Sequence, residues 1–176
     1  MAPYTIEPFD PDKHDRADFS CGVVPVDNYF KRTANKLARA GNTRLYVMIG
    51  AEDALIGFYA LNAHVVDYRG LPPRYARTRP RHGGIPAAYI SMIGVDQRCS
   101  GNGFGGVLLA DALIQIARAA EAIGIAVAVL DILDCGDPNL VARRKKLYSS
   151  YGFTPLPSND LRMFLPIGTV RALLDE

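Results

Sequence analysis

The amino-acid sequence predicts an α/β fold built on a mixed sheet. A mostly apolar stretch at 88–95 runs into a glycine-rich loop, then a helical pattern at 107–123, then a second apolar run at 125–132. That is the order of two parallel strands joined by a helical crossover. Two β-rich stretches, 44–49 and 54–62, flank the polar turn 50–53 and read as an antiparallel hairpin. At 176 residues, 49% of them hydrophobic, the chain has the size and apolar content of one domain spanning 1–176.

The remaining elements follow in order. Residues 4–8 alternate enough for a first strand, and Phe19-Ser20-Cys21-Gly22 reads as a turn into a helix with Pro25 in its first turn. Val26, Phe30, Thr33 and Leu37 then recur at helical spacing, with Arg32, Lys36 and Arg39 opposite and Gly41 at the end. This helix should bury one face and show a basic one. Residues 68–86, rich in Arg, Pro and Gly, read as a long loop without regular structure, of the kind that carries function. In the helix at 107–123, Leu109, Leu113, Ile116 and Ala120 mark the buried face and Gly124 ends it. A helix at 140–151 stops at Gly152, a last strand covers 161–165 and a short helix covers 167–174.

Composition excludes several classes. Lys and Arg number 20 against 18 Asp and Glu, a net charge of +2, so the chain is neither disordered nor uniformly basic. Charge is concentrated locally: Arg69, Arg74, Arg77, Arg79 and Arg81 crowd one loop, and Arg143, Arg144, Lys145 and Lys146 are consecutive. Each cluster reads either as a solvated face or as a surface for an anion. Cys21, Cys99 and Cys135 lack pair spacing, and His14, His64 and His82 are scattered without H-x-x-x-H spacing. We therefore expect neither disulfide framework nor metal, and histidines that are structural or exposed. The N-terminus lacks a basic start followed by an apolar run, and no apolar run approaches about 18 residues, so the expected location is the cytoplasm.

Arg98-Cys99-Ser100-Gly101-Asn102-Gly103-Phe104-Gly105-Gly106 lies between a strand and a helix, where backbone N–H groups gather at the positive end of the helix dipole. Glycines there let a pyrophosphate approach the amides and permit positive φ. The plainer alternative is a tight strand-to-helix turn. No G-x-x-x-x-G-K-[ST] is present, which excludes a P-loop. Gly101, Gly103 and Gly106 do spell G-x-G-x-x-G, but a dinucleotide fold places that loop after its first strand, whereas here it follows a hairpin past mid-chain.

Arg98-x-x-Gly101-x-Gly103 resembles R/Q-x-x-G-x-G/A, the acetyl-CoA motif of the GNAT superfamily of N-acetyltransferases. Ile93-Gly94-Val95-Asp96 is similar to the end of that family's fourth strand, Leu108 to Leu113 to the helix that follows, and Leu147-Tyr148-Ser149-Ser150-Tyr151-Gly152-Phe153 to its F/L-Y-x-x-x-G-F. The resemblance implies a GNAT fold, with about six to seven strands and helices on both faces of the sheet. It implies that the loop starting at Arg98 holds acetyl-CoA, with the amides of Gly101, Asn102, Gly103, Phe104, Gly105 and Gly106 on its pyrophosphate, that Ile93 and Val95 pair by backbone with the pantetheine arm, and that Tyr148 protonates the departing thiolate. Asn139 and Ala142 lie further upstream of Tyr148 than the family's spacing, so no cofactor contact carries over to Asn139; the run from Arg143 to Lys146 fills that turn instead.

The predicted strand 88–95 holds no Asp or Glu to serve as a base. A lysine amine, with pKa about 10.4, is neutral to only about one part in a thousand at pH 7, whereas an α-amine near about 7.8 is neutral to about a tenth. An amine beside an ester, as in aminoacyl-tRNA, needs still less help. The N-terminal half is consistent with this: Phe19 to Gly22 followed by Val26-Asp27-Asn28-Tyr29-Phe30, Arg44 to Val47, Gly57 to Leu61 and Leu161 to Pro166 resemble the GNAT toxins of bacterial type II toxin–antitoxin systems. This resemblance implies acetylation of aminoacyl-tRNA, a block of translation, and a ribbon-helix-helix antitoxin as partner, with a homodimer left open. The alternatives are an N-acetyltransferase of a small amine or peptide N-terminus, and a non-catalytic acyl-CoA-binding module.

Overall fold

The computed structural model describes residues 3–175. Its strands are β1 (Thr5–Pro8), β2 (Arg44–Ile49), β3 (Leu55–Asp67), β4 (Gly84–Val95), β5 (Val127–Asp131), β6 (Thr154–Leu156) and β7 (Asn159–Pro166). They form one seven-stranded sheet in the order β1-β2-β3-β4-β5-β7-β6. Its helices are α1 (Val24–Asn28), α2 (Ala34–Arg39), α3 (Arg74–Arg77), α4 (Phe104–Ala122), α5 (Pro138–Ser150) and α6 (Ile167–Leu174). Pairing is parallel between β4 and β5 and antiparallel for β1 with β2, β2 with β3, β5 with β7 and β6 with β7. Helix α4 is the crossover that makes the parallel pair possible.

Packing divides the chain into two compact units. One holds the chain up to Asn62 with Ser91–Ala112, and the other holds Ala63–Ile90 with the chain from Leu113 onward. In the first, Phe30 stacks on Phe58 with ring centroids 4.0 Å apart and 8° between planes, while Phe19 meets both edge-on. Leu108 and Leu109 bring α4 into this core. Pro25 lies in the first turn of α1 as expected, but a π turn at Tyr29–Thr33 separates α1 from α2. The wider turn shifts the helical phase. Ala34 is therefore buried and Thr33, assigned to the buried face from spacing, is exposed.

In the second unit, Val66, Leu71, Tyr75, Ile85, Val127, Val129 and Phe164 form one apolar cluster. This cluster corrects the reading of residues 68–86. Leu71 and Tyr75 anchor the arginine-rich segment, which holds a 3-10 turn at Tyr68–Gly70 and the single turn α3, and β4 begins at Gly84 rather than at 88. Strand β6 was not expected at all; Pro155 within it hides the pattern. Helix α5 starts on Asp137, whose carboxylate accepts from the amides of Asn139 and Leu140, with Pro138 in the first turn. The closing helix α6 spans the expected residues.

Phe30 is fully buried within three aromatic neighbours, Phe9, Phe19 and Phe58. Truncating it to alanine leaves a cavity and removes a ring that the Arg16 guanidinium lies over, 5.8 Å from its centroid. We expect Phe30→Ala to lower unfolding free energy by about 3–5 kcal/mol, read from the denaturant midpoint. An unchanged midpoint would show that this stack does not form.

Candidate active site

Asp96 directly follows the last residue of β4, Val95, and is 2% exposed. Its carboxylate accepts from the amide of Ser20 at 3.2 Å, the amide of Arg98 at 2.9 Å, and Nε and Nη2 of Arg98 at 2.8 and 2.9 Å. The bonds to Arg98, foremost its guanidinium, hold the Asp96 carboxyl below the usual carboxylate range. Arg98, expected at the cofactor, is thus engaged with Asp96 while most of its side chain is exposed. A cavity of about 380 Å3 on this side is lined by Asp15, Asp18 and Asp53 with Arg98, so its carboxylates disfavour a phosphate there.

Beyond Arg98 the chain turns through Gly101 at φ 83° and Gly103 at φ 77°. Both conformations are left-handed, which strains any other residue. No atom lies within 4 Å of the place where either Cβ would stand, so the outer face of the turn has room for a ligand. Helix α4 starts at Phe104, three residues before its expected start, and the Gly103 carbonyl accepts from the amides of Gly106 and Val107. Gly105 and Gly106 therefore belong to its first turn. The Gly106 amide is thus engaged within the turn, and the amides before it gather at the positive end of the helix dipole. Two residues of the predicted set serve the turn itself. Asn102 donates from its side chain to the carbonyls of Cys99 and Ser100, and the Phe104 ring is buried edge-on to Tyr4 at 5.9 Å.

Ile93 and Val95 are half-buried on β4. The registered pairs of β4 with β5 run from Ala87 with Val127 to Ile90 with Leu130, so both residues lie beyond the last pair.

Tyr148 sits on α5 in the second unit, 5% exposed, with its ring edge toward Phe153 at 6.3 Å. Burial raises its phenol above the ordinary value, with Arg144 opposing, so the phenol stays protonated at neutral pH. No hydrogen-bond partner is found for that hydroxyl among the described residues.

The basic clusters are partly neutralised from within. Arg69 pairs with Asp67, whose carboxyl is lowered to about 2, and Lys145 pairs with Asp160. Arg79 lies over the Tyr68 ring and Arg74 over Tyr75. Among the histidines, buried His14 accepts from the amide of Asp10 at Nδ1 and meets Glu7 at Nε2. His64 joins Tyr89, Asp131 and Arg162 in a polar cluster. Sequence reading did not single out these last three; a charge ending the apolar run at Asp131 was the available signal. Among the described residues, no group of three or more His, Cys, Asp or Glu is placed to hold a metal ion, and no helix is long and apolar enough to cross a membrane.

No family model matches the chain. Over 170 residues it is 60% identical to the probable toxin TacT of Sinorhizobium fredii, covering 96% of this chain and 94% of the relative. It is 27% identical over 165 residues to the tRNA-acetylating toxin of Mycobacterium tuberculosis, covering 94% and 93%. Among solved structures it matches a bacterial toxin with a TM-score of 0.86 at 21% identity, covering 100% of this chain and 97% of that one. It matches AtaT complexed with acetyl-methionyl-tRNAfMet with a TM-score of 0.83 at 23% identity, covering 98% and 99%. At those identities the likeness concerns the fold. The fold is that of the GNAT class of N-acetyltransferases. Within that class, the chain belongs to the family of GNAT toxins that includes TacT.

The Asp96 carboxylate makes the stability of this site depend on pH. Its folded pKa is depressed, so the stability it contributes is present above about pH 4, the ordinary carboxylate value, and is lost as pH falls through the lower folded value. Asp96→Asn should cost about 2 kcal/mol at pH 7 and flatten the loss of stability on acidification. Urea titrations of both proteins at pH 7 and below pH 4 check this, and parallel curves would contradict it.

Proposed function

We propose that this protein is a toxin that transfers the acetyl group of acetyl-CoA to the α-amine of aminoacyl-tRNA in the cytoplasm and so blocks translation. The observation that carries the reading is the 60% identity, over nearly all of both chains, to a probable toxin TacT, with the tRNA-acetylating toxin a more distant relative. A ribbon-helix-helix antitoxin and a homodimer complete the proposal. In its support, the neighbour AtaT is seen bound to the C-terminus of its antitoxin AtaR and acetyl-CoA.

The residues fit the cofactor. The left-handed glycines Gly101 and Gly103, with open space where a Cβ would stand, leave room for a pyrophosphate along the turn up to Gly106, at the positive end of α4. Arg98 would set the loop through Asp96 and add its charge, while Asn102 and Phe104 would brace the turn. Ile93 and Val95 would offer β4 backbone to the pantetheine arm. Acetyl-CoA supplies its acetyl group as a thioester.

In the transfer, the amine nitrogen forms the new bond to the carbonyl carbon and the carbon–sulfur bond breaks. Tyr148 would give its phenolic proton to the departing sulfur, and the amine's proton would pass to water. Because burial keeps the phenol in its acid form at neutral pH, it would be able to donate its proton to the sulfur as negative charge develops there.

Labelled acetyl-CoA and a charged total tRNA pool test the proposal. We expect label on aminoacyl-tRNA, kcat reduced about 100-fold or more in Tyr148→Phe, and acetyl-CoA affinity unchanged. Label on small amines or peptide N-termini instead would replace the substrate, and a binding protein without turnover would refute the enzyme.

A further inference from the structure

Asp131, the last residue of β5, stands in register with Arg162 on β7. Arg162 grips its carboxylate twice, Nε to Oδ1 at 2.7 Å and Nη2 to Oδ2 at 2.8 Å. The Tyr89 phenol on β4 donates to Oδ2 at 2.7 Å. His64 on β3 packs against the Tyr89 ring, centroids 5.0 Å apart, with Nε2 3.5 Å from Arg162 Nη1. These bonds use three of the carboxylate's about four acceptor positions. The Asp131 side chain is 35% exposed, so the remaining position is reachable.

The cluster lies next to the segment that Tyr148's helix grips. Two residues beyond Asp131, the Leu133 carbonyl accepts from Arg144 Nη1 at 3.2 Å. Arg144 precedes Tyr148 by one helical turn on the same face of α5, and its charge bears on the Tyr148 phenol.

Resting on the acetyltransferase reading above, we propose that Asp131 binds and orients the acceptor amine, accepting an N–H from the α-amino group while Arg162 and Tyr89 fix the carboxylate. The pairing with Arg162 is what makes the carboxylate suitable. An isolated carboxylate would stabilise the ammonium form, which cannot attack. A guanidinium at bonding distance offsets that field, so the pair keeps its capacity to accept a hydrogen bond but has little net charge. The neighbours preserve this balance. Burial, above all, holds the Tyr89 phenol up at about 12, and burial followed by Arg162 pushes the His64 imidazole down, so at neutral pH the Tyr89 phenol keeps its proton and the His64 imidazole is uncharged.

The test compares wild type, Asp131→Asn and Tyr89→Phe in acetyl transfer to aminoacyl-tRNA, and in binding of free against N-acetylated aminoacyl-tRNA. The expected result for Asp131→Asn is a KM for aminoacyl-tRNA raised about tenfold, loss of the preference for the free amine, and an unchanged Kd for acetyl-CoA. Tyr89→Phe keeps the ion pair and should shift KM in the same direction by less, which decides the matter if Asp131→Asn does not fold. Wild-type transfer with KM and amine preference unchanged in the variants overturns this inference alone. Failure of the wild type to acetylate aminoacyl-tRNA overturns the reading beneath it.

Discussion

A buried carboxylate at the end of β4 is the contact on which the glycine turn depends. Ionised and nearly inaccessible, Asp96 would be costly without partners, and four N–H groups answer that cost. The same residue joins the backbone on three sides: its amide donates to Ile56 on β3, its carbonyl accepts from Cys99, and the next amide, of Gln97, donates to Ser20. Ser20 in turn donates from its hydroxyl to Asp27 on α1, which also accepts from the Cys21 amide. A turn whose outer face is bare glycine has nothing on that face to hold it. Its shape is set from behind, by Asp96, Asn102 and the buried ring of Phe104.

How much was legible follows from how local each signal is. Gly101 and Gly103 were readable because a left-handed backbone demands glycine whatever surrounds it, and α4 because its apolar face repeats over 19 residues. Its start at Phe104 was missed because two glycines in a first turn look like loop. Residues 68–86 looked irregular for a similar reason: composition records the many arginines and prolines, whereas the fold depends on Leu71 and Tyr75, one turn apart. The phase of the helical segment from Val24 to Arg39 could not be had from a period of 3.6, because a π turn intervenes.

The candidate site divides along the same line. Tyr148 was visible only through a familiar spacing; nothing in its immediate neighbours marks it as more than a packing residue. The Asp131 cluster has no local signature, since its members come from four strands and His64 and Arg162 are 98 positions apart. Only strand register brings Asp131 opposite Arg162.

The same distinction bears on the basic clusters. Counting arginines and lysines overstates the charge available to a polyanion, because Arg69 and Lys145 are neutralised by Asp67 and Asp160, and Arg144 serves the Leu133 carbonyl. Arg77, Arg81, Arg143 and Lys146 remain exposed, with no ion pair or ring contact seen for them among the described residues. Affinity for a phosphate backbone grows with the number of cations that release counterions on contact, and a cation already paired contributes less. On the proposed function, these unpaired residues are the ones whose loss would weaken tRNA binding without touching the chemistry at Tyr148. They stand in the same compact unit as that tyrosine and the Asp131 cluster. Holding a long polyanion by its backbone and selecting its terminal amine are then separate tasks, performed by different side chains of one unit.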